Sequence, residues 1–205
     1  LPPHDPAAFD NEPLRPYNAG PDALLTNFKS LRLTLVPDPA ARTVLAVVDT
    51  PVDEIRVESR LQYADGACGD WREKLAVSVT GNALSLTGSF AGSCGEKALH
   101  VSPWPANLQV EQLFRALWKE LGGSFGGRVR DGEAPPAAKV LLTHESPPLA
   151  EAVRDVNKWS NNVMARQLFL ALAPSRPATP EAARERVAAW LQQKGVSGVV
   201  LENGA

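Results

Sequence analysis

From Phe28 to about Ser102 the hydrophobic residues recur with a period of two, the repeat of a strand that lays one face on a core. In "LRLTLV", Leu31, Leu33 and Leu35 share a face. In "IRVESRLQY", Ile55, Val57, Leu61 and Tyr63 stand opposite Arg56, Glu58, Arg60 and Gln62. The run "LAVSVTGNALSLTG" alternates on either side of Thr80-Gly81-Asn82, where Gly and Asn tolerate the positive φ of a tight hairpin turn. With "VLAVV" (Val44 to Val48) and "ALHV" (Ala98 to Val101), these segments predict a small antiparallel β unit over residues 28–102.

At "PWPANLQV" the period changes to 3.6 residues. Val110, Leu113, Phe114, Leu117, Trp118 and Leu121 fall on one helical face, with Asn107 placed as its cap and Gly122 as its terminator. A Gly-rich turn and a Pro-Pro loop follow, and "KVLLTHES" predicts a strand. The next helix starts near Pro147-Pro148 and carries Leu149, Val153 and Val156 toward Trp159; another runs from Val163 to Ala173. Thr179 and Pro180 signal a last helix through Lys194, burying Val187, Trp190 and Leu191 and ending at Gly195. Ahead of all this, residues 1–27 are rich in proline and short polar residues and read as a connecting arm.

Composition narrows the class without naming a function. Among 205 residues, 44% are apolar and 21% charged with a net charge of −2, as in ordinary globular proteins and without the basic excess of a nucleic-acid binder. No apolar run approaches the roughly 18–20 residues of a membrane span. "LPPHDPAAFD" is neither a signal peptide nor a start methionine, and "GVVLENGA" is a strand-like run with nothing after it to pair with, so both ends read as cuts in a longer chain. Cys68 and Cys94 both lie in Gly-rich turn sequences, which favours a disulfide in an oxidising compartment over unpaired thiols. Closing that loop stabilises a fold by roughly 3.5 kcal/mol in the chain-entropy picture. His4, His100 and His144 are scattered, so no metal site is expected, and no cofactor motif is read; "GGSFGGR" lacks the Gly-Lys-Ser/Thr ending of a phosphate loop and reads as a turn.

The stretch "NKWSNNVMARQL" places Ser160, Asn161 and Asn162 between two helical patterns, where short polar side chains compete for backbone hydrogen bonds. One reading makes Ser160 or Asn162 a cap for the helix beginning at Val163. The other makes the corner present a hydroxyl and a carboxamide to a cleft, as the Ser-x-Asn motif of penicillin-recognising serine enzymes does. Lys158 is read as a solvated residue complementing the helix dipole rather than a base. The tryptophans at 104, 118, 159 and 190 are read as core residues rather than a carbohydrate platform. His144 and Glu145 have no partner serine and are read as loop or strand-end residues.

Four separated stretches, "RPYNAGPDALLTNFKSLRLTL", "ELGGSFGGRVRDG", "HESPPLAEAVRDVNKWSNNVMARQL" and the final "LENGA", closely resemble in this order the D-alanyl-D-alanine carboxypeptidase/endopeptidase family of class C low-molecular-mass penicillin-binding proteins. The resemblance covers nearly the whole chain. It implies an α+β protein: the arm over 1–27, a β-rich domain over 28–102 inserted between the first and second family motifs, and over 103–205 a partial, helix-rich portion of the penicillin-binding/serine β-lactamase-like α/β core. It further implies a periplasmic or exported serine peptidase that hydrolyses peptidoglycan peptides ending in D-Ala-D-Ala through an acyl-enzyme, and that β-lactams inhibit. In such an enzyme Ser160 helps to shuttle the proton to the departing D-Ala nitrogen. Asn162 binds and orients the substrate amide, and Asn161, where some relatives carry Asp, has a supporting role.

The sequence also departs from the family pattern. It contains no Ser-x-x-Lys; Ser93 comes nearest, but Lys97 lies four residues on. It contains no Lys-Thr-Gly or His-Thr-Gly, since Val79-Thr80-Gly81 lacks the cation. The nucleophile is therefore not in this chain, and residues 1–205 alone are expected to be catalytically silent. The rival reading, from another class, is a non-catalytic envelope module that binds peptidoglycan or a partner protein. A core lacking its terminal strands is also expected to expose apolar helix faces, and so to dimerise or swap elements.

Overall fold

In the computed structural model, which describes residues 4–174 and 177–205, strands appear where hydrophobic residues alternate: β1 (Leu31–Asp38), β2 (Thr43–Val48), β3 (Arg56–Ala64), β4 (Leu75–Thr80), β5 (Ala83–Ala91) and β6 (Lys97–Val101). They form two three-stranded sheets, ordered β2-β1-β6 and β3-β5-β4. Leu31, Leu33 and Leu35 of β1 are fully buried, as the alternation requires, and share a core with Leu84, Leu86 and Phe90 of β5 and Leu99 and Val101 of β6. Trp71 meets Phe90 edge to face, with ring centroids 5.7 Å apart. Two sheets closing their inner faces on one apolar layer account for this unit's stability.

The unit is not purely antiparallel, as the sequence led us to expect. β3 and β5 pair in parallel, Val57 opposite Leu84 and Tyr63 opposite Phe90, whereas β4 and β5 form the expected hairpin around Gly81. β5 carries the most deeply buried side chains of its sheet and so takes the centre, with the half-buried β3 and β4 at the edges. Residues 65–74 pass over the width of the central strand to make this possible. At Gly88, φ is +110° and a Cβ would overlap the Lys74 carbonyl oxygen, so the hairpin partner approaches where only glycine fits. Cys68 and Cys94 form a disulfide, Cα atoms 4.7 Å apart, that ties the 65–74 crossing to the turn after β5.

Helix α1 (Ala106–Glu120) belongs to this same compact unit, which spans residues 14–16 and 29–129. Its orientation reverses the expectation. Gln109, Glu111 and Gln112 are buried, whereas Phe114, Leu117, Trp118 and Leu121 are exposed. The reason is polar docking: the Gln112 Oε1 accepts from the Glu54 N–H at 2.9 Å, and the Gln109 amide meets backbone at Lys29 and Ser30. Pro105, not Asn107, precedes the first turn, and Asn107 instead accepts from the next residue's N–H. Gly122, with positive φ, ends the helix as expected. The "GGSFGGR" turn then folds back on α1: Arg115 donates to the Gly127 carbonyl at 2.6 Å, Val129 N–H to Glu111 at 2.8 Å, and Phe125 packs edge-on against Phe114.

The second compact unit comprises residues up to 13, 17–28 and from 130 onward. It holds α2 (Leu149–Trp159), α3 (Asn162–Ala171) and α4 (Pro180–Gln193). Thr179 caps α4 and Pro180 takes its first position, as the sequence indicated. "KVLLTHES" forms no strand: among the described residues nothing pairs with it, and Val140, Leu141 and Leu142 are exposed. A near-continuous apolar run needs cover on both faces to become a strand, and here it has neither. Trp104 is buried, but Trp118, Trp159 and Trp190 are exposed, which corrects their reading as core residues. In α2 only Val156 is buried and in α4 only Ala183, whereas α1 turns its polar Gln109, Glu111 and Gln112 inward and leaves Trp118 outside.

Candidate functional site

The corner between α2 and α3 is built by three consecutive polar residues with separate tasks. Ser160 ends α2 in the left-handed conformation, φ 51° and ψ 47°, and its N–H donates to the Val156 carbonyl. The Asn161 N–H donates to the same carbonyl at 3.1 Å. Asn161, not Ser160 or Asn162, caps the next helix: its Oδ1 accepts from the Met164 N–H at 3.0 Å. Asn162 is thereby the first residue of α3 rather than its cap.

With the turn and the cap assigned, the remaining polar groups are free. Ser160 is exposed and Asn162 half-buried, and among the described residues neither side chain has a hydrogen-bond partner. Beside them lies a cleft of about 720 Å³, lined by Phe28, Leu149, Trp159, Asn161, Met164 and Leu168. It reaches the corner through Trp159 and Asn161; Ser160 and Asn162 stand outside its lining. Its volume lies within the range of small-molecule sites, and its walls are mostly apolar.

Neighbouring candidates resolve plainly. The Lys158 ammonium sits 5.0 Å from the centroid of the exposed Trp159 ring, a surface cation–π contact. His144 and Glu145 lie exposed on the 139–146 segment, which is in no helix or strand. Ser93, the serine nearest to a Ser-x-x-Lys pattern, donates its hydroxyl to the Gly66 carbonyl at 2.6 Å and supports the disulfide-bearing turn.

Two residues of α3 escaped the sequence reading. Arg166 is buried, and its Nη1 donates to the Tyr17 and Ala19 carbonyls at 2.6 and 3.2 Å. Gln167 brackets Asp22, accepting from its N–H and donating to its carbonyl, both at 3.0 Å. The arm is thus held directly on the helix that begins at Asn162. A signal was present: Arg166 falls in the buried stripe Val163, Arg166, Leu170, where a charge is costly unless something requires it.

The sequence model of the D-Ala-D-Ala carboxypeptidase 3 (S13) family matches residues 4–205. A comparison with curated protein sequences gives no match. Among solved structures the chain is similar to penicillin-binding protein 4 (dacB) from Haemophilus influenzae, with 23% identity and a TM-score of 0.72 over 96% of this chain. It is also similar to the same protein complexed with a β-lactam, with 22% identity and a TM-score of 0.67 over 91% of this chain. In both cases the chain spans 44% of the solved protein's length, and the likeness is one of fold.

Proposed function

Because this chain belongs to the D-Ala-D-Ala carboxypeptidase 3 (S13) family, we propose that it serves as the second-motif portion of a serine-type D-Ala-D-Ala carboxypeptidase or endopeptidase. Its substrates are peptidoglycan peptides ending in D-Ala-D-Ala, its inhibitors are β-lactams, and it works in the exported envelope compartment, which suits its disulfide. No helix among the described residues is long and apolar enough to cross a membrane. The observation that carries this reading is the corner: a Ser-x-Asn pair whose hydroxyl and carboxamide have no partner among the described residues, at the edge of a ligand-sized cleft.

In the reaction, a serine outside residues 1–205 attacks the penultimate D-Ala carbonyl, the C–N bond to the last D-Ala breaks, and water later releases the acyl group. The Ser160 hydroxyl passes a proton toward the departing amine. The Asn162 carboxamide hydrogen-bonds the substrate amide, and the rigid corner sets its direction. The β-rich unit is, in this reading, an insertion in the penicillin-binding core. Residues 1–205 alone, lacking Ser-x-x-Lys and Lys-Thr-Gly, are inactive. Their exposed helix faces favour self-association, which a monodisperse monomer in light scattering would contradict.

The test is acylation by a fluorescent penicillin, read as a covalent band after denaturation, on a longer protein that includes this chain and on residues 1–205. Labelling of the longer protein alone supports the reading. Labelling of neither favours a non-catalytic envelope module, and labelling of residues 1–205 would place a nucleophile within them.

A further inference from the structure

We propose that Arg166, assisted by Gln167, is a positioning residue for the second motif: it fixes residues 17–22 against α3 so that Asn162 and the cleft wall at Phe28 keep their places. This rests on the function proposed above. Arg166 lies four residues after Asn162, hence on the same face of the helix one turn along. Its Nη1 reaches two carbonyls of the arm, Tyr17 and Ala19, and Gln167 makes a reciprocal pair of bonds with Asp22. Adjacent side chains of one helix therefore hold both ends of the 17–22 segment, and six residues later the chain reaches Phe28, which lines the cleft together with Met164 and Leu168.

The choice of a guanidinium points beyond packing. Arg166 is 7% exposed, and among the described residues no carboxylate pairs with it. Burial alone holds its pKa below the ordinary arginine value. A neutral amide would meet a carbonyl at a smaller desolvation cost. The planar guanidinium lets a single Nη1 hold two of the arm's carbonyls, Tyr17 and Ala19, in one fixed direction. Misplacement of a substrate-orienting group by about 1 Å costs on the order of 100-fold in rate, so a clamp one turn from Asn162 controls catalysis through geometry.

The experiment uses the full-length protein. Active sites are titrated with fluorescent penicillin, and the acylation rate per titrated site is measured together with kcat and KM on a D-Ala-D-Ala peptide. Arg166→Ala is expected to lower the per-site acylation rate by roughly 10- to 100-fold, Arg166→Lys and Gln167→Ala by less, with kcat falling more than KM rises. A residue that served stability alone would reduce the titratable fraction and the Tm and leave the per-site rate at the wild-type value; that result overturns the proposal. If Arg166→Ala does not fold, Arg166→Lys and Gln167→Ala decide by the same readout. A wild-type protein that is not acylated overturns the proposed function, and this inference with it, whereas acylated wild type with unchanged variants overturns the inference alone.

Discussion

Ser160 and Asn161 are consecutive residues that serve opposite helices: Ser160 closes α2 at φ 51°, ψ 47°, and Asn161 opens α3 with its Oδ1 3.0 Å from the Met164 N–H. That division explains a polar trio in an apolar setting. One residue makes the turn, one makes the cap, and Asn162 is left with a carboxamide that no described residue engages, on the first turn of a helix whose next turn carries Arg166 and its bonds to the arm.

Ser160 is a poor choice for its own backbone. A side chain in the left-handed region costs about 1–2 kcal/mol relative to glycine's freedom there, partly offset by glycine's larger unfolded-state entropy. Ser160→Gly is therefore expected to stabilise the protein by about 0.5–1 kcal/mol, seen as a higher denaturation midpoint. If Ser160 relays a proton, the same variant acylates penicillin more slowly than wild type. A variant that gains stability and keeps full acylation would remove Ser160 from the chemistry.

Asn161→Ala removes the cap and leaves the Met164 N–H without its acceptor, a loss of about 1 kcal/mol. Amide exchange at Met164 is expected to quicken by roughly fivefold, the equivalent of that energy. An unchanged exchange rate would mean that Asn162 or Ser160 takes over as cap, as the sequence alone suggested.

What could be read beforehand follows from what each pattern encodes. The alternation of Leu31, Leu33 and Leu35 marks a strand with one buried face, and β1 is that strand. The same period is shared by parallel and antiparallel ladders, so it could not reveal that β3 lies parallel to β5. The stripe Phe114, Leu117, Trp118 identified helix α1 but not its direction, because Gln109 and Gln112 win their side by hydrogen-bonding backbone rather than by apolarity. The Ser160–Asn162 corner was legible as a break between helices, whereas the cap was misplaced by one residue: Ser, Asn and Asn are all good caps, and only the backbone turn selects among them.

The Cys68–Cys94 bridge spans a sequence separation of 26 and fastens the crossing that lets β5 enter the centre of its sheet. Replacing both cysteines by serine is expected to lower stability by about 3.5 kcal/mol, within the usual range for a loop of this length. Denaturation with and without reductant checks this: the wild type should respond to reductant and the double variant should not. A wild type indifferent to complete reduction would show that Trp71, Phe90 and their neighbours hold the crossing unaided.

His100 is expected to contribute to the pH dependence of stability. It stands opposite Arg32 in the β1–β6 ladder; although the residue is exposed, partial desolvation of its ring first, then the positive charges of Arg32 and Arg72, hold its pKa below the ordinary value of 6.5, with Asp49 opposing. Protonation is then easier in the unfolded chain than in the folded one. Above pH 6.5 the imidazole is neutral in both states and its contribution to stability is fully present. As pH falls through 6.5 toward the lower folded-state pKa, the unfolded chain takes the proton first and stability is lost. Denaturation midpoints followed from pH 7.5 down to 5 are expected to decline more steeply for wild type than for His100→Gln, whose side chain does not titrate. Parallel declines would assign the loss to other groups and leave His100 outside the pH response.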